Sequence, residues 1–132
     1  MKTKQKKGLV LKLDLHKAYD YIRWDFLRLL LIQISISLSM VDWIMGYISS
    51  VTFVALINGG PTNFFKSSRG IRKRCPISSL MFILVMEWLS LLLIDAQNVG
   101  KISGVSVDRI LKNCHILFVD DVLLMNISSI EE

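Results

Sequence analysis

Two adjacent aspartates, Asp120 and Asp121, stand inside the otherwise apolar run LFVDDVLLM (residues 117–125). Neighbouring carboxylates repel each other, and carboxylates in apolar surroundings are costly unless a positive charge compensates them. Asp is also common in tight turns between strands, so a turn alone accounts for the pair. The second explanation is a cation, because two carboxylates at a hairpin tip, joined by a third, can hold Mg²⁺. The local stretch by itself favours the turn.

Asp14 is the candidate for the third carboxylate, because it stands near the end of the alternating segment GLVLKLDL (8–15). The alternation places the leucines on one face and predicts a β-strand. The segment HILFVDDVLLM (115–125) predicts a strand, a tight turn and a second strand. If the first strand lies beside this hairpin, three carboxylates meet at one edge of the sheet. With two Mg²⁺ ions, that arrangement serves in-line phosphoryl transfer.

The segments between these strands predict helices and a second hairpin. Apolar residues at helical spacing predict helices over 24–34 and 41–50, and a long helix that ends near residue 94. Ser78 or Ser79 is the predicted cap of the long helix.

A strand is expected over TFVALING (52–59), followed by a turn at Asn58-Gly59-Gly60-Pro61 and a returning strand with Phe64 and Phe65. The order of elements predicts an α+β fold, with an antiparallel sheet and helices packed on one of its faces.

Composition and charge narrow the class of protein. The chain has 132 residues, enough for one domain, and it is 52% hydrophobic with a formal net charge of +5. Basic residues cluster at the amino terminus and again between Lys66 and Arg74, which suits a polyanion such as nucleic acid. A solvated surface is the other explanation, and we favour it for the amino terminus. Cys75 and Cys114 are far apart and predict ordinary reduced thiols.

A membrane span is a further alternative, because residues 80–94 carry only Glu87 as a charged side chain. This stretch is shorter than the roughly 20 residues that a bilayer requires, and a charge at its middle is costly. We therefore favour a helix buried in a protein core over a small membrane-associated protein. The lysines at the amino terminus are not followed by the apolar run of a signal peptide.

Three segments together resemble the palm motifs of reverse transcriptases, in the form carried by non-LTR (LINE-type) retroelements of plants. LVLKLDLHKAYDYIRWDFL is similar to the first motif, RGIRKRCPISSLMF to the second and FVDD to the third. The match runs from about Leu9 to Met125, with the motifs in the family's order. It implies a partial polymerase palm and RNA-directed DNA polymerisation, in which a primer 3′-hydroxyl attacks the α-phosphate of a dNTP. RNA template, DNA primer and dNTP are the implied partners, and no membrane is expected.

The resemblance assigns roles to matching residues. Asp14, Asp120 and Asp121 correspond to the catalytic carboxylates that bind Mg²⁺, or Mn²⁺ in its place. The implied nucleotide contacts are Lys17, Ala18, Tyr19, Arg69, Gly70 and Arg72. Tyr19 corresponds to the aromatic residue whose ring excludes a ribose 2′-hydroxyl, although a core aromatic is the other explanation. Gly70 begins a loop that needs small residues where backbone approaches the nucleotide.

The second motif departs from the family at positions where the family has Arg-Gln-Gly and this chain has Arg72, Lys73 and Arg74. Lys73 and Arg74 add positive charge that attracts nucleic acid, but Arg74 also adds a long side chain at a position of close approach. We expect the motif to have lost its usual geometry. The alternative function is therefore an inactive retroelement remnant with at most weak nucleic-acid binding.

The motif positions also predict the domain limits. We expect a basic, disordered segment over residues 1–8, a palm over 9–126 and a tail over 127–132. The fingers are predicted to be incomplete and the thumb absent, so this palm fragment is expected to be inactive alone unless partners supply them. No targeting signal is visible, and the parent element of such a chain would act in the nucleus.

Overall fold

A computed structural model describes residues 7–106 and 112–128 of the chain. The predictions for residues 1–6 and 129–132 therefore lie outside the described residues. The chain divides into two compact units. The sheet unit comprises residues 1–16 and 86–132, and the loop unit comprises residues 17–85. Helices and antiparallel strands are mixed along the chain, which confirms the predicted α+β class.

The helices are α1 (Ala18–Tyr21), α2 (Trp24–Gln33), α3 (Leu38–Ser49) and α4 (Pro76–Asn98). The strands are β1 (Lys7–Asp14), β2 (Thr52–Phe53), β3 (Leu56–Ile57), β4 (Gly60–Pro61), β5 (Phe65–Lys66), β6 (Val105–Ser106), β7 (Lys112–Asn113), β8 (His115–Phe118) and β9 (Asp121–Ser128).

In the sheet unit, β1, β9 and β8 form an antiparallel sheet in that order. The predicted hairpin is confirmed, because Phe118 pairs with Asp121 across a turn of two residues. The second half of α4 contacts β8, where the Ser90 hydroxyl lies 2.7 Å from His115 Nε2. This contact ties the carboxylate hairpin to the helix.

The core of the loop unit forms between α2 and α3. Leu27, Leu30 and Leu31 recur at helical spacing and are buried, and Val41 of α3 is buried with them. Both helices confirm the predictions, although α3 begins at Leu38 rather than at residue 41.

Two details of the predicted elements are wrong. The long helix begins at Pro76, so Ser78 and Ser79 lie inside its first turn. Proline suits the first helical position because its ring presets the helical φ, and the Cys75 carbonyl accepts the first helical hydrogen bond from the Ser79 amide at 3.0 Å.

The expected strand over residues 52–59 is broken in two. Its first part, β2, pairs with β5, and its second part, β3, pairs with β4. The predicted turn is confirmed, because Asn58 and Gly59 both take positive φ, 50° and 79°, as a two-residue hairpin of this kind requires. Phe65 lies on the returning strand β5 and Phe64 precedes it.

Helix α4 is longer and more exposed than predicted. It has 23 residues, so the argument that this segment is too short to span a membrane no longer applies. Among the described residues it is the one helix whose length and apolar composition match a span. Met81, Phe82 and Met86 are buried, whereas Leu80 and Ile83 are exposed, so only one stripe of the helix lies in a core.

Candidate functional site

The register of the sheet brings two of the three predicted carboxylates together. Asp14, the last residue of β1, pairs directly with Asp121, the first residue of β9. Side chains of directly paired residues lie on the same face of a sheet, so both carboxylates share one face. The Leu15 amide donates to the Asp120 carbonyl at 3.0 Å, which extends the pairing into the turn.

Asp120 lies in the hairpin turn beside this pair. Its neighbour Val119 has a φ of 54°, the left-handed region that a β-branched residue rarely adopts. Two-residue hairpins need positive φ in the turn, so the conformation follows from the tightness of the hairpin. Asp14 and Asp120 are exposed and Asp121 is half-buried, so all three can be reached by solvent ions.

Lys12 is a member of this site that the sequence analysis missed. Its Nζ lies 3.3 Å from Oδ2 of Asp121. Lys12 stands two positions before Asp14 in a strand, and the period of two could have placed it on the carboxylate face. The ammonium group supplies a compensating positive charge to Asp121.

The donor chemistry of the site fits a hard divalent cation, because carboxylate oxygens are the ligands that Mg²⁺ prefers. In residues 7–106 and 112–128, no three carboxylate, imidazole or thiol groups lie close enough together to hold a metal ion. Asp14 and Asp121 are paired, and the side chain of Asp120 is not grouped with them. A cation bound there would take the place of the Lys12 ammonium beside Asp121.

In the loop unit, the residues around Gly70 are bound to the segment that contains Tyr19. The Gly70 amide donates to the Ile22 carbonyl at 2.7 Å, and the Ile71 amide donates to the Tyr19 carbonyl at 2.8 Å. The indole Nε1 of Trp24 donates to the Gly70 carbonyl at 2.7 Å. These three bonds fix the loop of the second motif to the second half of the first motif.

The fold of the chain by itself requires glycine at position 70. Its φ is 89°, and a Cβ atom at this position would lie 2.8 Å from the backbone oxygen of Asp20. The close approach that excludes a side chain is therefore an approach of the chain to itself. Neither the hydrogen bond from Trp24 to Gly70 nor the close contact of Gly70 with Asp20 could be predicted from the sequence, because both depend on tertiary structure.

Tyr19 packs against α4 within the loop unit. Its ring stacks on Phe82, with ring centres 4.3 Å apart and planes 13° from parallel. The ring is half-buried, so one face is held by Phe82. Ala18 is half-buried and Lys17 is exposed with a left-handed φ of 54°, which turns the chain sharply into α1.

Arg72, Lys73 and Arg74 are all exposed. Arg74 has a φ of 62°, the conformation that glycine adopts without cost. The motif that this segment resembles has glycine at this position, and here an arginine adopts the conformation that suits glycine. Among residues 7–106 and 112–128, no ion pair joins Lys66, Arg69 or these three residues to a carboxylate.

Cys75 is a free thiol, as predicted, but it is not an ordinary one. Its Sγ lies 3.2 Å from the hydroxyl of Tyr47. The Tyr47 hydroxyl and the first backbone amides of α4 at Ser78 and Ile77 stabilise the thiolate, which lowers the pKa of Cys75 to about 7. Cys75 follows the basic residues of the second motif directly.

The predicted site residues therefore fall into two groups. The sheet unit brings Asp14 and Asp121 together and holds Asp120 next to them. In the loop unit, Tyr19, Gly70 and their neighbours are joined by backbone bonds, and the remaining basic residues lie on an exposed loop.

Comparison with known proteins gives a family match over nearly the whole chain. Residues 1–131 match the family model described as reverse transcriptase (RNA-dependent DNA polymerase).

Two curated relatives are similar to parts of the chain. An uncharacterized mitochondrial protein of Arabidopsis thaliana is 38% identical over 79 residues, which is 58% of this chain and 65% of that protein. The retrovirus-related Pol polyprotein from type-1 retrotransposable element R2 of Popillia japonica is 28% identical over 116 residues, which is 88% of this chain. The match spans only 18% of the length of that polyprotein.

Proposed function

The chain belongs to the reverse transcriptase family, and from this premise we propose that it is a polymerase palm whose carboxylates serve nucleotidyl transfer. Asp14, Asp120 and Asp121 are the proposed catalytic and metal-binding residues. The observation that carries the proposal is the direct pairing of Asp14 with Asp121, with Asp120 in the adjoining turn. RNA template, DNA primer and dNTP are the proposed substrates.

Asp14 and Asp121 would hold Mg²⁺, or Mn²⁺ in its place, and Asp120 in the adjoining turn is the third proposed ligand. A divalent ion held there would supply positive charge that favours ionisation of the primer hydroxyl and offsets charge on the leaving pyrophosphate. Asp14 and Asp121 supply oxygen ligands from one face of the sheet. The Lys12 ammonium lies against Oδ2 of Asp121, so it competes with a cation for this carboxylate.

The loop unit would position the nucleotide. Phe82 orients the ring of Tyr19, which is the proposed selector against a 2′-hydroxyl group. The bonds from Gly70 and Ile71 hold the second-motif loop against the turn beside Tyr19. Arg69 and Arg72 are exposed cations on this loop and can bind phosphate oxygens.

An inactive remnant that binds nucleic acid is the second candidate, and Arg74 favours it. Arginine occupies a left-handed position where the family has glycine, and Lys73 replaces a glutamine. We therefore propose that these two residues, rather than the carboxylates, limit nucleotide transfer by this chain.

Primer extension on an RNA template tests the two candidates against each other. The wild-type chain, the double variant Lys73→Gln/Arg74→Gly and the double variant Asp120→Asn/Asp121→Asn would be compared with Mg²⁺ and with Mn²⁺. We expect no detectable extension from the wild-type chain or the carboxylate variant, and measurable extension from the Lys73→Gln/Arg74→Gly variant.

The remnant is supported if none of the three proteins extends a primer while each has a cooperative unfolding transition. Extension that persists in the Asp120→Asn/Asp121→Asn variant would contradict the assigned roles of the carboxylates.

A further inference from the structure

A cavity of about 510 Å³ opens within the loop unit, apart from the stacked ring of Tyr19. Four cations line it: Lys17, Lys66, Arg69 and Arg72. Asp20 is the only carboxylate among the lining residues that the structure describes. The cavity therefore has a positive potential, which favours an anionic ligand.

None of these four cations is held by a carboxylate elsewhere in the described part of the chain, where the ion pairs involve Lys12, Arg23 and Arg28. The Arg69 guanidinium instead lies over the ring of Tyr21, 4.7 Å from its centre. This contact holds the planar group against the ring and leaves its edge for phosphate oxygens.

The same cavity has an aromatic wall. Phe53 of β2 and Phe65 of β5 are cross-strand partners, and their rings stack with centres 5.9 Å apart. The two residues are 41% and 52% exposed, so apolar ring surface faces water inside a basic cavity. Exposed aromatic rings beside unpaired cations are the combination that binds single-stranded nucleic acids, because bases stack on rings while cations contact the backbone.

We infer that this cavity binds a segment of single-stranded nucleic acid, with a base on the Phe53–Phe65 pair and phosphates on Lys66 and Arg69. The inference rests on the proposed function for the nature of the ligand, but it requires neither the carboxylates nor a divalent cation. Its volume is in the range of about 300–1,000 Å³ that is usual for ligand sites, which admits one nucleotide with its phosphates.

A single strand fits these residues better than a duplex or an acidic peptide. The bases of a duplex are stacked on one another and cannot cover Phe53 and Phe65. An acidic peptide would neutralise the cations and leave the phenylalanine pair exposed to water. Both alternatives therefore predict that the phenylalanine rings contribute nothing to binding.

Fluorescence anisotropy with a labelled twelve-residue oligo(U) in EDTA would test the inference on the full chain. Phe65→Leu retains apolar volume on β5 and removes the ring, and we expect it to weaken binding about tenfold. Phe64→Leu is the matched control, because Phe64 is adjacent and 78% exposed but does not line the cavity. We expect the control to bind as the wild type does.

The charge contribution is tested by the salt dependence of the same binding. Lys66→Ala and Arg69→Ala should each reduce the slope of log affinity against log salt by about 1. Lys101→Ala, an exposed lysine in the sheet unit, should leave the slope unchanged. Thermal unfolding of every variant shows whether the fold is retained.

Three outcomes would overturn the inference. The first is that the Phe65→Leu and Phe64→Leu variants bind oligo(U) with equal affinity, and the second is that the wild-type chain binds a duplex of the same length as tightly as oligo(U). The third is that poly-Glu displaces oligo(U) while Phe65→Leu has no effect on binding. A triple variant with Asp14, Asp120 and Asp121 changed to Asn separates this inference from the proposed function. We expect it to bind the oligonucleotide normally, and a large loss in this variant would contradict a site independent of the carboxylates.

Discussion

Asp14 and Asp121 face each other across β1 and β9 as directly paired residues. Like charges at directly paired positions destabilise a sheet, so a fold selected for stability alone would not place them there. Lys12 compensates Asp121 through a contact of 3.3 Å, and Asp14 has no such partner among the described residues. The pair is an arrangement that a bound cation would stabilise.

Asp14→Asn should stabilise the chain in the absence of divalent ions and remove its stabilisation by Mg²⁺. Loss of the cross-strand repulsion is expected to raise the free energy of unfolding by about 0.5 kcal/mol. Urea unfolding with and without Mg²⁺ measures both effects. Asp95→Asn is the control, since Asp95 is exposed on α4 and lies outside the sheet. An equal gain in the two variants would refute the repulsion.

Arg74→Gly should increase stability. Arg74 has a φ of 62°, a conformation that costs a non-glycine residue of order 1 kcal/mol and costs glycine little. The expected gain in the free energy of unfolding is about 1 kcal/mol, measured by urea unfolding. Arg72→Gly is the matched control on the same loop, and it should be neutral or destabilising because Arg72 does not have positive φ. A loss of stability in Arg74→Gly would show that the arginine side chain makes a compensating contact.

Gly70→Ala should destabilise the loop unit by about 2 kcal/mol, because backbone strain and a steric clash act together. The new Cβ would lie 2.8 Å from the Asp20 carbonyl oxygen, and the φ of 89° is itself unfavourable. The Trp24 fluorescence should report the change, because its indole donates to the Gly70 carbonyl.

Gly46→Ala is the control for the Gly70 variant. Gly46 lies inside α3, and a Cβ atom added there would meet no atom within 4 Å. Alanine should therefore stabilise the helix by about 1 kcal/mol. If Gly70→Ala were as stable as the wild type, the backbone contact with Asp20 would be wrong.

Cys75 should titrate near pH 7, and Tyr47→Phe should raise its pKa toward 9, since the Tyr47 hydroxyl is the largest cause of the lowered value. Thiolate absorbance at about 240 nm in a Cys114→Ala background measures the midpoint. Because the pKa of Cys75 is lower in the folded state, this thiol stabilises the fold most at pH values above 9, its pKa in the unfolded chain. That stabilisation is lost as the pH falls through about 7. The Cys75 thiol should therefore raise the midpoint temperature of unfolding between pH 7 and pH 9, and this rise should be smaller in the Tyr47→Phe variant.

Local patterns were sufficient to predict the elements that carry the carboxylates. Alternation in residues 8–15 predicted β1, because successive side chains of a strand point to opposite faces, and the apolar run around Asp120 predicted the hairpin. The sequence also indicated that Asp14 would lie near the hairpin if β1 were its neighbour in the sheet. The register itself was not readable, since it depends on which strand edges meet.

Contacts between distant segments could not be predicted. The bond between Trp24 and Gly70 and the stacking of Tyr19 on Phe82 join residues that are far apart in sequence. Apolar composition also failed to show which side of α4 is buried, because the helix is apolar on most of its surface. Lys12 was the exception, since its position in the strand alternation could have placed it beside the carboxylates.

Binding of Mn²⁺, followed by loss of the free-ion electron paramagnetic resonance signal, tests the central claim most directly. We predict saturable binding by the wild-type chain and none by a variant with Asp14, Asp120 and Asp121 changed to Asn. Lys12→Met should bind more tightly because the competing ammonium is absent, and Asp95→Asn should bind as the wild type does. Equal binding by the wild-type chain and the triple variant would contradict the assignment of these carboxylates as the metal site.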